Sequence, residues 1–147
     1  MKVRLLTLEN SRDVVAVKVL ANLWGENFWD FAEIQSSLKS GAQLFVAETG
    51  EMLCGLCLIK EIQEEAELYY IFTHPEFRKQ SVARQMLNHL RDFLPNRGIG
   101  KLFLEVSEKN MSAIHLYKSV GMVEVSTRKN YYKDGSSAKI YLWDFHG

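Results

Sequence analysis

Two groups of residues in this chain have the types and spacing to do chemistry. The first is the turn Arg78-Lys79-Gln80-Ser81-Val82-Ala83, followed by Arg84, which sets small residues and cations at the start of an amphipathic helix. A helix start carries backbone N–H groups without intrahelical partners and the positive end of the helix dipole, so it attracts anions, phosphate above all. On the residues alone, the plain reading of such a turn is a helix opening with solvated cations. The second group is Glu105 and Tyr117, twelve positions apart. Glu105 alternates with Leu104 and Val106 along a strand, so it points away from the side those two bury. A carboxylate and a phenol can serve as base and acid. On the residues alone the favoured readings are an exposed strand charge and a core tyrosine.

Other candidates are weaker. His74, His89, His115 and His146 are scattered without metal-ligand spacing, so no metal is assigned. Cys54 and Cys57 form a C-x-x-C pair, but no second cysteine pair completes a zinc site. Residues three apart in a strand face opposite sides, so two reduced, partly buried thiols are expected. The acidic run Glu61, Glu64, Glu65 and Glu67 reads as a solvated turn, with docking of a cationic substrate as the alternative.

These residues need a scaffold, and the pattern supplies one. Residues 2–7 predict a strand. Asn10 or Ser11 then caps a helix whose Val14, Val17, Leu20, Ala21 and Trp24 share a stripe, ended by Gly25. A shorter helix over 29–39 stops at Ser40-Gly41. The aromatics Phe28, Trp29 and Phe31 near its start read as core packing, or as lining for an acceptor pocket. Strands over 43–48 and 52–59 flank Thr49-Gly50-Glu51, a turn short enough for an antiparallel hairpin.

The aromatic-rich run 68–72 predicts the central strand, closed by Pro75. Val82, Met86, Leu90, Phe93 and Leu94 then give a helix beginning near Ser81 one apolar face. After Pro95-Asn96-Arg97-Gly98, residues 101–106 form a strand, and strand-helix-strand of this length implies a parallel crossover. A helix over 110–120, ended by Gly121, and strands over 122–127 and 138–145 complete the chain. The order β-α-α-β-β-β-α-β-α-β-β predicts an α/β fold: a mixed sheet of about seven strands with four helices on its two faces.

A length of 147 residues, with 47% hydrophobic and 12% aromatic content, suits one domain over 1–147 with its own core. Lysine plus arginine and aspartate plus glutamate number 18 each, so no overall field draws in nucleic acid or anionic lipid. The N-terminal residues lack the apolar run of a signal peptide, and no segment is long enough to span a membrane. A cytoplasmic location is expected, with neither nucleic acid nor membrane as partner.

Two motifs resemble a known family. The turn from Arg78 to Ala83 is similar to the acetyl-CoA pyrophosphate loop of the GCN5-related N-acetyltransferases, Q/R-x-x-G-x-G/A, with Ser81 at the first glycine. The segment from Leu104 to Met122 resembles their L-E-V-x-x-x-N-x-x-A-x-x-L-Y-x-x-x-G-F, matched by Glu105, Asn110, Ala113, Leu116, Tyr117 and Gly121. Within the family, Arg128-Lys129-Asn130-Tyr131-Tyr132 resembles the R-x-N-Y-Y ending of the ribosomal-protein-alanine N-acetyltransferases. Tyr70 stands where those enzymes often carry asparagine, and Trp29 matches an aromatic of their acceptor side.

The resemblance implies the N-acetyltransferase fold and transfer of an acetyl group from acetyl-CoA to an amine. In that reading, backbone groups of Ile71, Phe72 and Thr73, splayed by a strand bulge, pair with the pantetheine. The N–H groups from Lys79 through Gln80, Ser81, Val82 and Ala83 to Arg84 hold the diphosphate beside Arg78, and Asn110 also contacts the cofactor. Glu105 is the general base and Tyr117 the proton donor to the thiolate. The expected acceptor is a protein N-terminus, possible in the ribosomal setting, because an α-amine with pKa roughly 7.7–8.0 is neutral at pH 7 about a hundredfold more often than a lysine at roughly 10.4. Transfer to a small amine or a lysine is the alternative, and a non-catalytic acyl-CoA-binding module is the reading outside enzymes.

Overall fold

The computed structural model describes residues 1–23, 30–50 and 52–146. Along the chain lie β1 (Lys2–Leu6), α1 (Ser11–Leu23), α2 (Phe31–Lys39), β2 (Ala42–Thr49), β3 (Met52–Ile62) and β4 (Glu65–Thr73). They are followed by α3 (Val82–Phe93), β5 (Lys101–Ser107), α4 (Met111–Ser119), β6 (Val123–Arg128) and β7 (Ala138–Asp144). The order matches the one read from periodicity and caps. Asn10 Oδ1 accepts from the Arg12 amide at 2.9 Å at the head of α1, and Asp30 Oδ1 accepts from the Glu33 amide at 2.9 Å at the head of α2. Trp24, Gly25, Phe28 and Trp29, expected to end one helix and open the next, lie outside the described residues.

The strands form one seven-stranded sheet in the order β1-β2-β3-β4-β5-β7-β6. Every pairing is antiparallel except β4 with β5, the crossover that the strand-helix-strand spacing required. β3 lies near the middle and is buried from Leu53 to Ile59, because both its faces are covered. On one face α3 lays down Val82, Met86, Leu87 and Leu90, and α4 adds Ile114 and Tyr117. On the other face Val17, Leu20 and Ala21 of α1 and Ile34 of α2 pack on Leu44, Val46, Leu56 and Leu58. Truncating a fully buried residue such as Leu90 should cost about 2–5 kcal/mol. No helix among the described residues is long and apolar enough to cross a membrane.

Bulges re-aim side chains at two places that matter for the site. Ala47 pairs with Gly55 but Glu48 with Leu53, so Cys54 is the extra residue of β3. Strict alternation would have put Cys54 and Cys57 on opposite faces; the bulge instead turns both into the cluster under α3 and α4. Both thiols are buried and free, and burial pushes Cys57 up to about 12. In β4, Leu58 pairs with Tyr70 and Ile59 with Leu68, leaving Tyr69 as the extra residue. The bulge thus falls just before Ile71, Phe72 and Thr73.

Two contacts fix the frame. Arg4 of β1 bridges Asp13 of α1 and Glu48 of β2, each at 2.9 Å, tying the first helix to the edge of the sheet. Gly55 lets α3 sit directly on β3. A Cβ there would meet Val82 Cγ1 at 2.8 Å, Met86 Cε at 2.9 Å and the Phe72 carbonyl at 3.0 Å.

Candidate active site

The basic turn ends where α3 begins, and its backbone is unusual. Lys79 and Ser81 hold φ of 65° and 63°, in the left-handed region that glycine adopts freely and a side chain adopts at a cost of about 1–3 kcal/mol. This is the physical reason a glycine suits the position Ser81 fills. Ser81 makes no side-chain capping bond, so the amides of Val82, Ala83 and Arg84 keep their outward-facing donors. A groove of about 420 Å³ runs past them, walled by Thr73, Arg78, Lys79, Ser81, Val82, Ala83 and Arg84 and, from α4, by Ser112, His115 and Leu116. Phe77 closes its side.

Some of the expected cofactor residues stand apart from this groove. Gln80 turns back, its Nε2 donating to the Glu76 carbonyl at 3.3 Å. Asn110 caps α4, with Oδ1 accepting from the Ala113 amide at 3.2 Å and the Ser112 hydroxyl at 3.3 Å. Ile71 and Phe72 pair with Cys57 and Leu56 of β3, while their side chains enter opposite cores. Ser112 and His115 were not anticipated; they come from the solvent side of α4, one turn apart. His74 caps the short 3-10 turn at Pro75–Phe77, its Nδ1 accepting from the Glu76 amide at 3.1 Å.

Beyond the turn, the sheet opens. The parallel ladder runs Glu65 to Lys101, Ala66 to Leu102, Glu67 to Phe103 and Leu68 to Leu104, and there it stops. Among the described residues, the pairing of β4 with β5 extends no further along β4 than Leu68, so the two strands part there. On the sheet face away from α3 and α4, a groove of about 830 Å³ lies beside this gap. Glu64, Glu65, Glu67, Phe103, Glu105 and Arg128 line it.

The electrostatics of that groove centre on two carboxylates. Glu105 Oε1 lies 3.4 Å from Arg128 Nε, and Arg128 also sits 5.4 Å from the Tyr131 ring centroid. Burial and the nearby Glu105 push Glu67 above the usual carboxylate range, against the opposing pull of Arg128. Burial and then Glu67 raise Tyr69, and burial and then Glu105 raise Tyr132, so these phenols border the same pair. The acidic run is divided: Glu61 pairs with Arg97 at 2.6 Å, whereas Glu64, Glu65 and Glu67 face the groove. Glu67 had a signal in the sequence, since Glu65 and Glu67 alternate with the buried Ala66 and Leu68.

Tyr117 lies on the opposite face. It is 6% exposed, within the cluster under α3 and α4, and its ring centroid is 6.3 Å from that of Tyr141. Burial, with a smaller contribution from Cys57, pushes its hydroxyl up to about 12. At neutral pH it is a phenol, able to donate. Glu105 and Tyr117 therefore approach the opening between β4 and β5 from different sides of the sheet.

A family model described as acetyltransferase (GNAT) family matches residues 17–122. The [ribosomal protein bS18]-alanine N-acetyltransferase of Escherichia coli K12 is 36% identical over 121 residues, covering 81% of this chain and 78% of that one. The chain belongs to the GNAT family. Its order of elements and of strands is that of the GNAT fold, and its reaction is transfer of an acetyl group from acetyl-CoA to an amine. The crystal structure of the ribosomal-protein-S18-alanine N-acetyltransferase from Escherichia coli superposes with a TM-score of 0.84 at 27% identity, over 98% of this chain and 94% of that chain. A spermidine N-acetyltransferase chimera that includes the Vibrio cholerae enzyme reaches a TM-score of 0.82 at 22% identity, over 99% of this chain and 98% of that chain, a likeness of fold alone.

Proposed function

We propose that this GNAT enzyme acetylates the N-terminal α-amine of a protein, of the ribosomal-protein-alanine type. What supports the acceptor is the 36% identity, over most of both chains, to an Escherichia coli enzyme whose name states it. The open groove beside Glu105 gives a peptide end room to approach from the face opposite the helix-start groove. A cytoplasmic location goes with this reading.

In the proposed mechanism, acetyl-CoA lays its diphosphate along the turn from Arg78 to Arg84, where the free amides and three cations fit an anion. The stretch of β4 beyond its register with β5, over Ile71, Phe72 and Thr73, receives the pantetheine and polarises the acetyl carbonyl. The amine nitrogen attacks the carbonyl carbon; the C–N bond forms and the C–S bond breaks. Glu105 takes a proton from the amine through water, and Tyr117 donates to the departing thiolate. A phenol held protonated up to about 12 suits that task.

The test is acetyl transfer from acetyl-CoA to N-terminal-alanine peptides, lysine peptides and polyamines, read as free thiol and as the mass of the product. Alanine peptides should be turned over at least about tenfold faster than the others at pH 7, from the difference in amine acidity. Preference for a polyamine or a lysine side chain would overturn the acceptor.

A further inference from the structure

Helices α1 and α2 cover their face of the sheet only in part. The cluster beneath them draws on β1 to β4 and, among the described residues, takes nothing from β5, β6 or β7. On that face Phe103, Ile140 and Leu142 stay half-buried, and Val125 of the edge strand is 50% exposed. The groove of about 830 Å³ beside Glu105 runs over Phe103, Val125 and Ile140, and its far end is acidic, with Glu64 and Glu65 where β3 turns into β4. We propose that this groove selects the acceptor polypeptide beyond its first residue, taking an apolar side chain at the third position against Phe103 and a lysine or arginine at the fifth against Glu65 and Glu64. The assignment rests on the N-terminal acceptor reading above.

Register sets those positions. The acceptor amine must come to Glu105, the proposed base. An extended peptide advances about 3.3 Å per residue, as a strand does, so a chain running back from Glu105 along β5 keeps step with it. Phe103 then lies two residues along, about 7 Å, and Lys101 four residues along, about 13 Å. Lys101 is in register with Glu65. Alternate side chains of an extended peptide share a face, so the first, third and fifth point into the groove and the second and fourth point to solvent. The third meets Phe103, which pairs with Leu142 of β7 and has Ile140 and Val125 beside it in the groove.

Charge agrees with that direction. Glu64, Glu65, Glu67 and Glu105 line the groove against Lys60 and Arg128, and Arg128 is engaged by Glu105 at 3.4 Å. Lys101 neighbours Glu65 across the ladder and is itself in register with Asp144. Among the described residues no ion pair engages Glu64 or Glu65. The groove is thus continuous with the reacting end, apolar in its middle and acidic at its exit, which complements a peptide that is apolar and then basic.

The test is kcat/KM for short peptides with N-terminal alanine that differ at one position: leucine or alanine at the third, lysine or glutamate at the fifth. The wild type should favour leucine and lysine, each by at least about fivefold. Phe103→Ala should bring the leucine preference below about twofold, and Glu64→Lys combined with Glu65→Lys should reverse the lysine preference, most strongly at low salt. Each readout is a ratio between two peptides on one enzyme, so a variant that folds less well still reports it. Val125→Glu, at an exposed edge position, spares the core and should lower the leucine preference at least about twofold. A wild type indifferent at either position, or a preference that survives its matching variant, overturns the proposal. A dimer in sedimentation that Val125→Glu dissociates would assign the groove to a second copy instead. Equal use of all these peptides refutes the groove alone, whereas activity confined to lysine side chains or polyamines refutes the N-terminal reading beneath it.

Discussion

Ser81 shows how one residue can satisfy a motif and still strain it. Its φ of 63° stores a cost that glycine would not carry, and its hydroxyl recovers nothing by capping. Ser81→Gly should raise stability by up to about 1 kcal/mol, after the extra freedom glycine gives the unfolded chain. Acetyl-CoA affinity, measured by calorimetry, should hold or improve. A tenfold loss would show that the hydroxyl itself contacts phosphate. Tyr117→Phe tests the other end of the reaction. If the hydroxyl protonates the thiolate, turnover should fall by about tenfold to ten-thousandfold with cofactor affinity unchanged. Intact turnover with a lower melting temperature would make Tyr117 a core residue. Glu105, Tyr117 and the turn could be singled out in the sequence because their spacing is local or motif-bound. Alternation gives the face that Glu67 occupies, but its closeness to Glu105 depends on which residue of β5 lies across from it, and register is set by tertiary pairing.

Elements were legible wherever period and caps agreed. The α3 stripe, the Asn10 cap and the hairpin glycine Gly50 each announce themselves over a few residues. Bulges do not. Nothing in the run Leu53 to Ile59 marks Cys54 as the extra residue, and so alternation placed the two thiols wrongly. The β6–β7 connection, which brings Tyr132 toward Glu105, is held by Asp134. Its carboxylate accepts from the Ser136 hydroxyl at 2.6 Å, the Ser136 amide at 2.9 Å and Lys109 Nζ at 3.1 Å. Those bonds, the Ser136 hydroxyl first, pull Asp134 down to about 2 from an unfolded value near 3.8. The stabilisation it gives is therefore complete above about pH 4 and lost as pH falls toward 2. Amide exchange at Ser136 should accelerate over that window, and Asp134→Asn should remove the acid dependence.

At the scale of the molecule, two hydrophobic clusters share one sheet and the proposed site lies where that sheet parts. A ligand that binds only the folded state adds about 2.7 kcal/mol at a hundred times its dissociation constant. For a chain of this size, saturating acetyl-CoA should raise the melting temperature by about 5–10 °C, measured by differential scanning fluorimetry. The same scan with Ser81→Gly links that shift to the turn. The contact at Gly55 bears on distance. In the proposed mechanism a bound acetyl-CoA is a tether, anchored by its charged end on α3 and delivering its reactive end to the gap in the sheet. The spacing between those two points is set by how closely α3 rests on β3, and at Gly55 it rests on bare backbone. Gly55→Ala would wedge the helix outward by a few tenths of an ångström, at a cost of about 1–3 kcal/mol. The wedge would leave both ends of the tether their own contacts while mismatching the length between them. Under the proposed mechanism such a variant should still bind the cofactor yet present its acetyl group out of line, the missing side chain at Gly55 serving as the gauge block that sets the tether's length.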